Sequence, residues 1–385
     1  MRVLYIADKI DKYGSIDSMI QMIDSLVENN NIEPVIIMSK EGRLSEWAKC
    51  KGYDYYCLNY KSFFVHISDW YLKIFKSKLI RKLYGYYYLY FENKCLSEIS
   101  RIMDLSEIDI IHTNINRVGL GAAIAKKYNI PHIWHVREMS SESHYDLVPI
   151  FDDYVDRFNE ATKIIFISNT VNEFWIKKGF SSKNAIVIPD GITHKTDFVN
   201  RDILCGNIYK FVMAGYICNN KGQDQLLNAV SMLPENLNNN IFIDFYGDYE
   251  KKYFKYLNEL IKIKHIKNVR FMGYVEDVQN RFVDYDFGIV CSNVEGLGRA
   301  TVNYICKGCL VIASKIGANC EILKDGDSGL LYDYNNTKML SEKILFAINN
   351  QELSNLMAHK CQMRIYDKYD CDYYSKRVFD LYNSI

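Results

Sequence analysis

The chain is predicted to be α/β, built from two doubly wound parallel sheets, and three observations carry that prediction. Short apolar runs alternate with longer segments of helical period from one end to the other, the pattern of parallel strands covered by helices. The 385 residues exceed what one hydrophobic core ordinarily organises, so two domains are expected. A polar, weakly periodic stretch at 190–207, containing Gly191 and Gly206, supplies the join.

In the first half, strands are predicted at 3–7, 35–38, 53–58, 108–113, 132–136, 164–167 and 185–188. The first leads to Gly14 and Ser15, which precede a helix with apolar residues at Ile16, Met19, Ile20, Ile23 and Leu26. Taken alone, these two residues fit either an ordinary strand-to-helix turn or a glycine-bearing loop over a phosphate. No G-x-G-x-x-G sequence stands here, which counts against a nicotinamide dinucleotide site. His135 lies at the end of the run at 132–136, beside Arg137 and Glu138, where a parallel sheet opens onto its ligand. His112, ending the preceding strand, is read as structural.

In the second half, strands are predicted at 211–214, 241–246, 269–271, 287–291, 311–313 and 330–332. The most informative stretch follows the fourth of these. Glu295 sits in a short loop, Gly296 and Gly298 free the backbone for close approach to a ligand, and an amphipathic helix starts near Arg299. First-turn amides and the positive dipole end of a helix bind phosphate. Asn303, one turn beyond Arg299 on the same face, can reach past the phosphate to a sugar hydroxyl. The layout suits a sugar diphosphate.

These residues resemble the donor site of glycosyltransferase family 4, retaining enzymes of the GT-B fold, with Glu295, Gly296, Leu297, Gly298, Gly308, Val311 and Ile312 in register. The family's second glutamate is replaced by Asn303. FVMAGYICNNKGQDQLL (211–227) is similar to the family's strand, glycine turn and Lys-Gly pair, in which Lys221 binds the donor diphosphate; Tyr216 stands where an arginine usually follows the glycine. IPDGI (188–192) and IGANCEILKDGDSGLLYD (316–333) resemble further family segments, and PHIWHVRE (131–138) carries His135 where the family places a histidine beside the donor sugar.

The resemblance implies two Rossmann-like domains facing across a cleft: residues 1–192 binding the acceptor, 193–365 binding the nucleotide sugar, and a last helix within 366–385 packing back on the first. It implies catalytic roles for His135, Lys221 and Glu295. Donor contacts are expected from Gly14, Ser15, Gly215, Tyr216, Gly247, Gly273, Gly296, Leu297, Gly298, Arg299, Ala300 and Asn303. Retaining chemistry of this kind is a front-side displacement in which the leaving diphosphate oxygen takes the acceptor's proton. No cofactor or metal is expected beyond the nucleotide-diphosphate sugar itself. Asp284 and Asp286 lead into a strand and Asp325 and Asp327 sit in a glycine-bearing turn, so neither Asp-x-Asp is read as a metal site.

The remaining composition sets limits. Net charge is zero, so no global field for nucleic acid is implied. Eleven cysteines without a repeated spacing, and a first segment that reads directly as a strand, suggest free thiols in a reducing cytoplasm. Cys306 and Cys309 make a lone Cys-x-x-Cys, read as small buried side chains. From Lys61 to Lys94, aromatic residues (Phe63, Phe64, Trp70, Tyr71, Phe75, Tyr86 to Tyr88) interleave with Lys61, Lys73, Lys76, Lys78, Arg81 and Lys82. That mixture fits peripheral contact with an anionic membrane on its inner face, or a packing helix with a solvated basic side. The expected activity is transfer of a hexose-type sugar to a lipid-linked saccharide acceptor in bacterial surface polysaccharide synthesis. A catalytically silent nucleotide-sugar-binding or scaffold subunit, and a sugar epimerase, are the other readings.

Overall fold

The structure, a computed structural model, describes residues 1–7, 14–67, 77–139, 146–203 and 206–385. The chain divides into two compact units, Met1–Gly191 with Cys371–Ile385, and Ile192–Asp370.

The first unit holds β1 (Arg2–Ile6), β2 (Glu33–Met38), β3 (Asp54–Cys57), β4 (Phe64–Ile67), β5 (Ile110–Thr113), β6 (His132–Val136), β7 (Asp146–Pro149), β8 (Lys163–Phe166) and β9 (Ala185–Val187). Seven of them form a parallel sheet in the order β3-β2-β1-β5-β6-β8-β9. Its connections carry α1 (Gly14–Asn30), α2 (Arg43–Lys51), α3 (Lys78–Ile102), α4 (Leu120–Tyr128), α5 (Tyr154–Asn159) and α6 (Asn169–Lys177). Strands covered on both faces must be apolar almost throughout, and in β1 every residue after Arg2 is buried. The helical spacing of Ile16, Met19, Met22, Ile23 and Leu26 lays one face of α1 on this sheet.

The second unit holds β10 (Tyr209–Ala214), β11 (Ile241–Tyr246), β12 (Val269–Gly273), β13 (Phe287–Val290), β14 (Leu310–Ser314) and β15 (Leu330–Tyr332). They are parallel, in the order β12-β11-β10-β13-β14-β15. Around them lie α7 (Gln223–Val230), α8 (Glu235–Asn238), α9 (Lys251–Ile263), α10 (Arg299–Cys306), α11 (Asn319–Ile322), α12 (Thr337–Asn349) and α13 (Gln351–Ile365). In each sheet the order reverses once, between β1 and β5 and between β10 and β13, and ligands of such sheets sit beyond the strand ends at that reversal.

The final helix, α14 (Cys371–Tyr382), belongs to the first unit, where Tyr374, Val378, Leu381 and Tyr382 join the cluster around α1. The chain leaves that unit at Gly191 and re-enters at Cys371, and a Cβ on Gly191 would stand 2.6 Å from the Cα of Cys371. The polar stretch after Gly191 is stitched to the second unit: Val199 N–H donates to Cys306 O at 2.9 Å, Arg201 Nε to Lys307 O at 3.0 Å, and Ile203 N–H to Asn355 Oδ1 at 2.8 Å.

Every predicted strand is present, with ends displaced by a residue or two. The sequence reading missed β4 and β7, which pair only with each other as an antiparallel ribbon. Each is four residues long, and the partner that defines it lies far along the chain.

Candidate functional site

The site in the second unit is built where β10 and β13 end. After β10 the chain passes Gly215 and Tyr216 into a single 3₁₀ turn, Asn219–Lys221, and α7 starts behind Gly222. After β13 it runs through Ser292 and Glu295 to Gly298, which caps α10 with φ 79°. The two loops are joined by Asn293 N–H donating to Asn220 O at 3.0 Å. Lys221 Nζ therefore lies 3.3 Å from Glu295 Oε2 and 3.3 Å from Ser292 Oγ. Both charged side chains keep accessible surface, 29% for Lys221 and 14% for Glu295. An ammonium has three donors, so Lys221 can keep Glu295 and still take a phosphate oxygen.

Two further contacts hold this arrangement. Ala318 N–H donates to Glu295 O at 2.8 Å, and a side chain on Gly317 would strike that same carbonyl. Tyr304 of α10 packs over Gly288 of β13, and its hydroxyl accepts from Ala214 N–H at 2.6 Å, which fixes α10 against the ends of β10 and β13. Burial pushes the Tyr304 phenol up, keeping it neutral. In α10, Leu297 before it and Thr301, Val302, Tyr304 and Ile305 within it are buried, while Arg299, Ala300 and Asn303 keep accessible surface. The helix start thus offers first-turn amides beside Lys221's loop.

Gly215, Gly247 and Gly273 follow or end β10, β11 and β12 in turn. Gly247 N–H donates to Gly273 O at 2.8 Å, and a Cβ on Gly247 would strike Gly215 O, so this rim closes only without a side chain there. Tyr216 is half-exposed beside it.

In the first unit, Gly14 begins α1 and Ser15 O accepts from Asn114 Nδ2 at 3.2 Å, next to the end of β5. The loop before Gly14 lies outside the described residues. His135 departs from expectation. It is the fourth residue of β6, within the predicted run, but its ring is fully buried rather than opening onto a ligand space. Its Nδ1 is 3.2 Å from His112 Nε2, its Nε2 is 3.5 Å from Asp190 Oδ1, and His112 Nδ1 meets the Tyr382 hydroxyl at 2.6 Å. Burial, reinforced by Arg137, lowers His135 to about 4, and burial holds His112 well below its ordinary value, so both rings are neutral near pH 7. Arg137 pairs with Asp190 and donates from Nε to Asn114 O at 3.1 Å. The cluster ties α14 to β5 and β6.

The other expectations resolve individually. Asp286 Oδ2 accepts from Lys210 N–H at 2.9 Å, Asp325 pairs with Lys343 at 2.8 Å, and Asp327 with Lys360 at 3.1 Å. Cys306 and Cys309 are buried free thiols on Thr193 Oγ1 and the Phe282 and Tyr285 carbonyls. Trp70, Tyr71, Lys73, Phe75 and Lys76 lie outside the described residues. Phe63, Phe64 and Tyr88 are core, whereas Tyr86 and Tyr87 are exposed. Sequence reasoning missed Ser292 and Tyr304 and held Gly317 only within the 316–333 resemblance; their roles come from partners that no spacing reveals.

Comparison with known proteins completes the description. Residues 206–362 match the family model for glycosyl transferases group 1, and residues 67–195 match that for glycosyltransferase family 4. The uncharacterized glycosyltransferase MJ1178 of Methanocaldococcus jannaschii is 28% identical over 260 residues, 66% of this chain and 69% of that protein. The capsular polysaccharide biosynthesis glycosyltransferase CapH of Staphylococcus aureus is 26% identical over 242 residues, 58% of this chain and 64% of that protein. The crystal structure of Anabaena Alr3699/HepE in complex with UDP superposes with a TM-score of 0.80 at 17% identity, covering 100% of both chains.

Proposed function

The chain belongs to glycosyltransferase family 4 and has the GT-B fold, and from that premise we propose that it transfers a hexose-type sugar, with retention, from a nucleoside-diphosphate donor to a lipid-linked saccharide in bacterial surface polysaccharide synthesis. The single observation that carries this reading is the meeting of Lys221 and Glu295 at the β10/β13 reversal, beside the start of α10. Lys221 and the α10 amides stabilise charge that develops on the departing diphosphate, the largest demand of such a step. Its leaving oxygen accepts the acceptor's proton as the new glycosidic bond forms on the same face. Glu295 holds donor hydroxyls, Asn303 the ribose, and the Gly215, Gly247 and Gly273 rim lets the nucleotide approach backbone. His135 acts by positioning Arg137 and Asp190.

The similarity to CapH supports a polysaccharide product, and the Anabaena protein's complex makes UDP-sugars the first donors to test. Fixed cations and amides supply the countercharge, so transfer is expected to persist in EDTA. In this reading the lipid-linked acceptor is met at the cytoplasmic surface of the membrane; among the described residues no helix is long and apolar enough to cross one.

A second reading, a silent nucleotide-sugar-binding subunit, is favoured by the two departures from the family pattern, Asn303 and Tyr216. Thermal shift with nucleoside diphosphates and their sugars, followed by transfer assays on Lys221→Ala and Glu295→Ala, tests both. A stabilising donor whose sugar is transferred by wild type and not by the variants supports the enzyme. Ligand-induced stabilisation without transfer or hydrolysis supports the silent subunit, and no stabilisation by any nucleotide defeats both.

A further inference from the structure

We propose that a cavity beside α13, in the second unit, is a second, non-catalytic binding site for a saccharide chain. His359, Gln362, Met363 and Tyr366 recur at i, i+3, i+4 and i+7, so α13 and the residue after it turn one face to the cavity. Phe198 and Asn200 close it from the stretch stitched to this unit. Its volume is about 600 Å³, within the range of small-ligand sites. Two aromatic side chains form one wall, Phe198 meeting Tyr366 edge-on with ring centroids 5.0 Å apart. Tyr366 keeps 39% of its surface exposed and Met363 80%, so apolar surface stays open on this face. Polar groups converge on the same space. Gln362 is fixed through its amide nitrogen, which donates to Val199 O at 2.8 Å and Ile305 O at 3.0 Å. Asp367 meets Lys195 Nζ with one oxygen at 2.7 Å and keeps the other; His359 Nε2 meets Asp202 Oδ1 at 3.1 Å and leaves Nδ1. The exposed Asn200 carboxamide has no hydrogen-bond partner among the described residues.

The chemistry of the lining identifies the occupant. A pyranose carries C–H groups on its faces and hydroxyls around its edge, and each hydroxyl both donates and accepts. An aromatic wall takes the first, and a mixed set of carboxamide, carboxylate and imidazole takes the second. Asp367 is the lining's one carboxylate and Lys195 answers it, so no unbalanced charge selects an ion. A purely apolar segment would desolvate Asn200, Asp367 and His359 without replacing their hydrogen bonds with water. The cavity stands apart from the donor loop. Ile305, whose carbonyl Gln362 holds, is in the last turn of α10, and the donor loop opens the first, about 10 Å away along the axis. This inference rests on the saccharide product of the proposed function: a chain held here stays on the protein between transfers.

The test uses the full chain with carbon-13 in its methionine methyl groups, Met363 being assigned through Met363→Leu. Neutral hexasaccharides of glucose, of galactose and of N-acetylglucosamine are the probes. At millimolar concentration at least one of them moves the Met363 resonance saturably and further than any other methionine, whereas nucleoside diphosphates leave it in place. Y366S weakens that binding at least about tenfold and N200A at least about threefold, with the circular dichroism spectrum unchanged. Should Y366S misfold, N200A decides alone, since its side chain is exposed. No response to any of the three sugars, or variants that bind like wild type, would overturn the proposal. So would a Met363 shift that follows protein concentration without sugar and coincides with dimerisation in the ultracentrifuge, since the occupant is then a second copy. Nucleotide-induced thermal shift and transfer to a short saccharide are retained in both variants; their absence from the wild type counts against the catalytic reading and leaves the saccharide-binding result standing.

Discussion

Lys221 and Glu295 stand 74 positions apart in the chain, yet Nζ and Oε2 are 3.3 Å apart because β10 and β13 are hydrogen-bonded neighbours. The pair is partly exposed, so its direct contribution to stability is small, about 0–1 kcal/mol. Lys221→Ala is expected to leave the denaturation midpoint nearly unchanged while lowering kcat by about 10²–10³, the usual consequence of losing one charge-stabilising donor. Parallel urea titration and initial-rate measurements separate the two effects. A large midpoint shift with little change in kcat would make the lysine structural.

Gly317 governs the position of Glu295 from outside the loop. Its φ of 53° and the Glu295 carbonyl beside its missing side chain mean that Gly317→Ala must shift one of the two backbones. We expect a loss of roughly 1–2 kcal/mol in stability and a larger proportional loss of donor affinity. Calorimetric titration with the donor nucleotide checks this against Gly326→Ala, which has positive φ but no neighbour within 4 Å.

The enclosed histidines give the first unit an acid limit. Burial lowers His132 to about 3 and His135 to about 4, against 6.5 in the unfolded chain, and holds His112 well below its ordinary value. The unfolded state therefore binds more protons below pH 6.5, and stability present above that value is lost as pH falls toward 4. His135→Asn should flatten the slope of melting temperature against pH between 6.5 and 4, whatever it does to the plateau. An unchanged slope would place the acid sensitivity elsewhere.

Asn303 keeps accessible surface on the second turn of α10, with an amide where the family pattern has a carboxylate. A charge-assisted hydrogen bond exceeds a neutral one by about 1 kcal/mol. Asn303→Glu is expected to tighten donor binding severalfold, read as a lower KM for the nucleotide sugar at similar kcat. Weaker binding would show a pocket built around the amide.

Much of this was legible in the chain itself. Runs such as LVIAS in β14 can be little else than strands buried on both faces, and the alternation with helical segments specifies parallel sheets, because both signals are local and periodic. The Glu295 to Gly298 turn and the start of α10 were readable for the same reason, glycine and exposed amides in immediate succession, whereas Lys221 was singled out only by resemblance to the family's Lys-Gly pair. Tertiary structure alone decided which ends meet. It set the strand order that brings Lys221 to Glu295 and supplied Ser292, Tyr304 and Gly317 as their supports. It enclosed His135 among His112, Arg137, Asp190 and Tyr374, and it paired β4 with β7. Each of those depends on partners distant in sequence, and burial and electrostatics are sums over neighbours in space that no local pattern encodes.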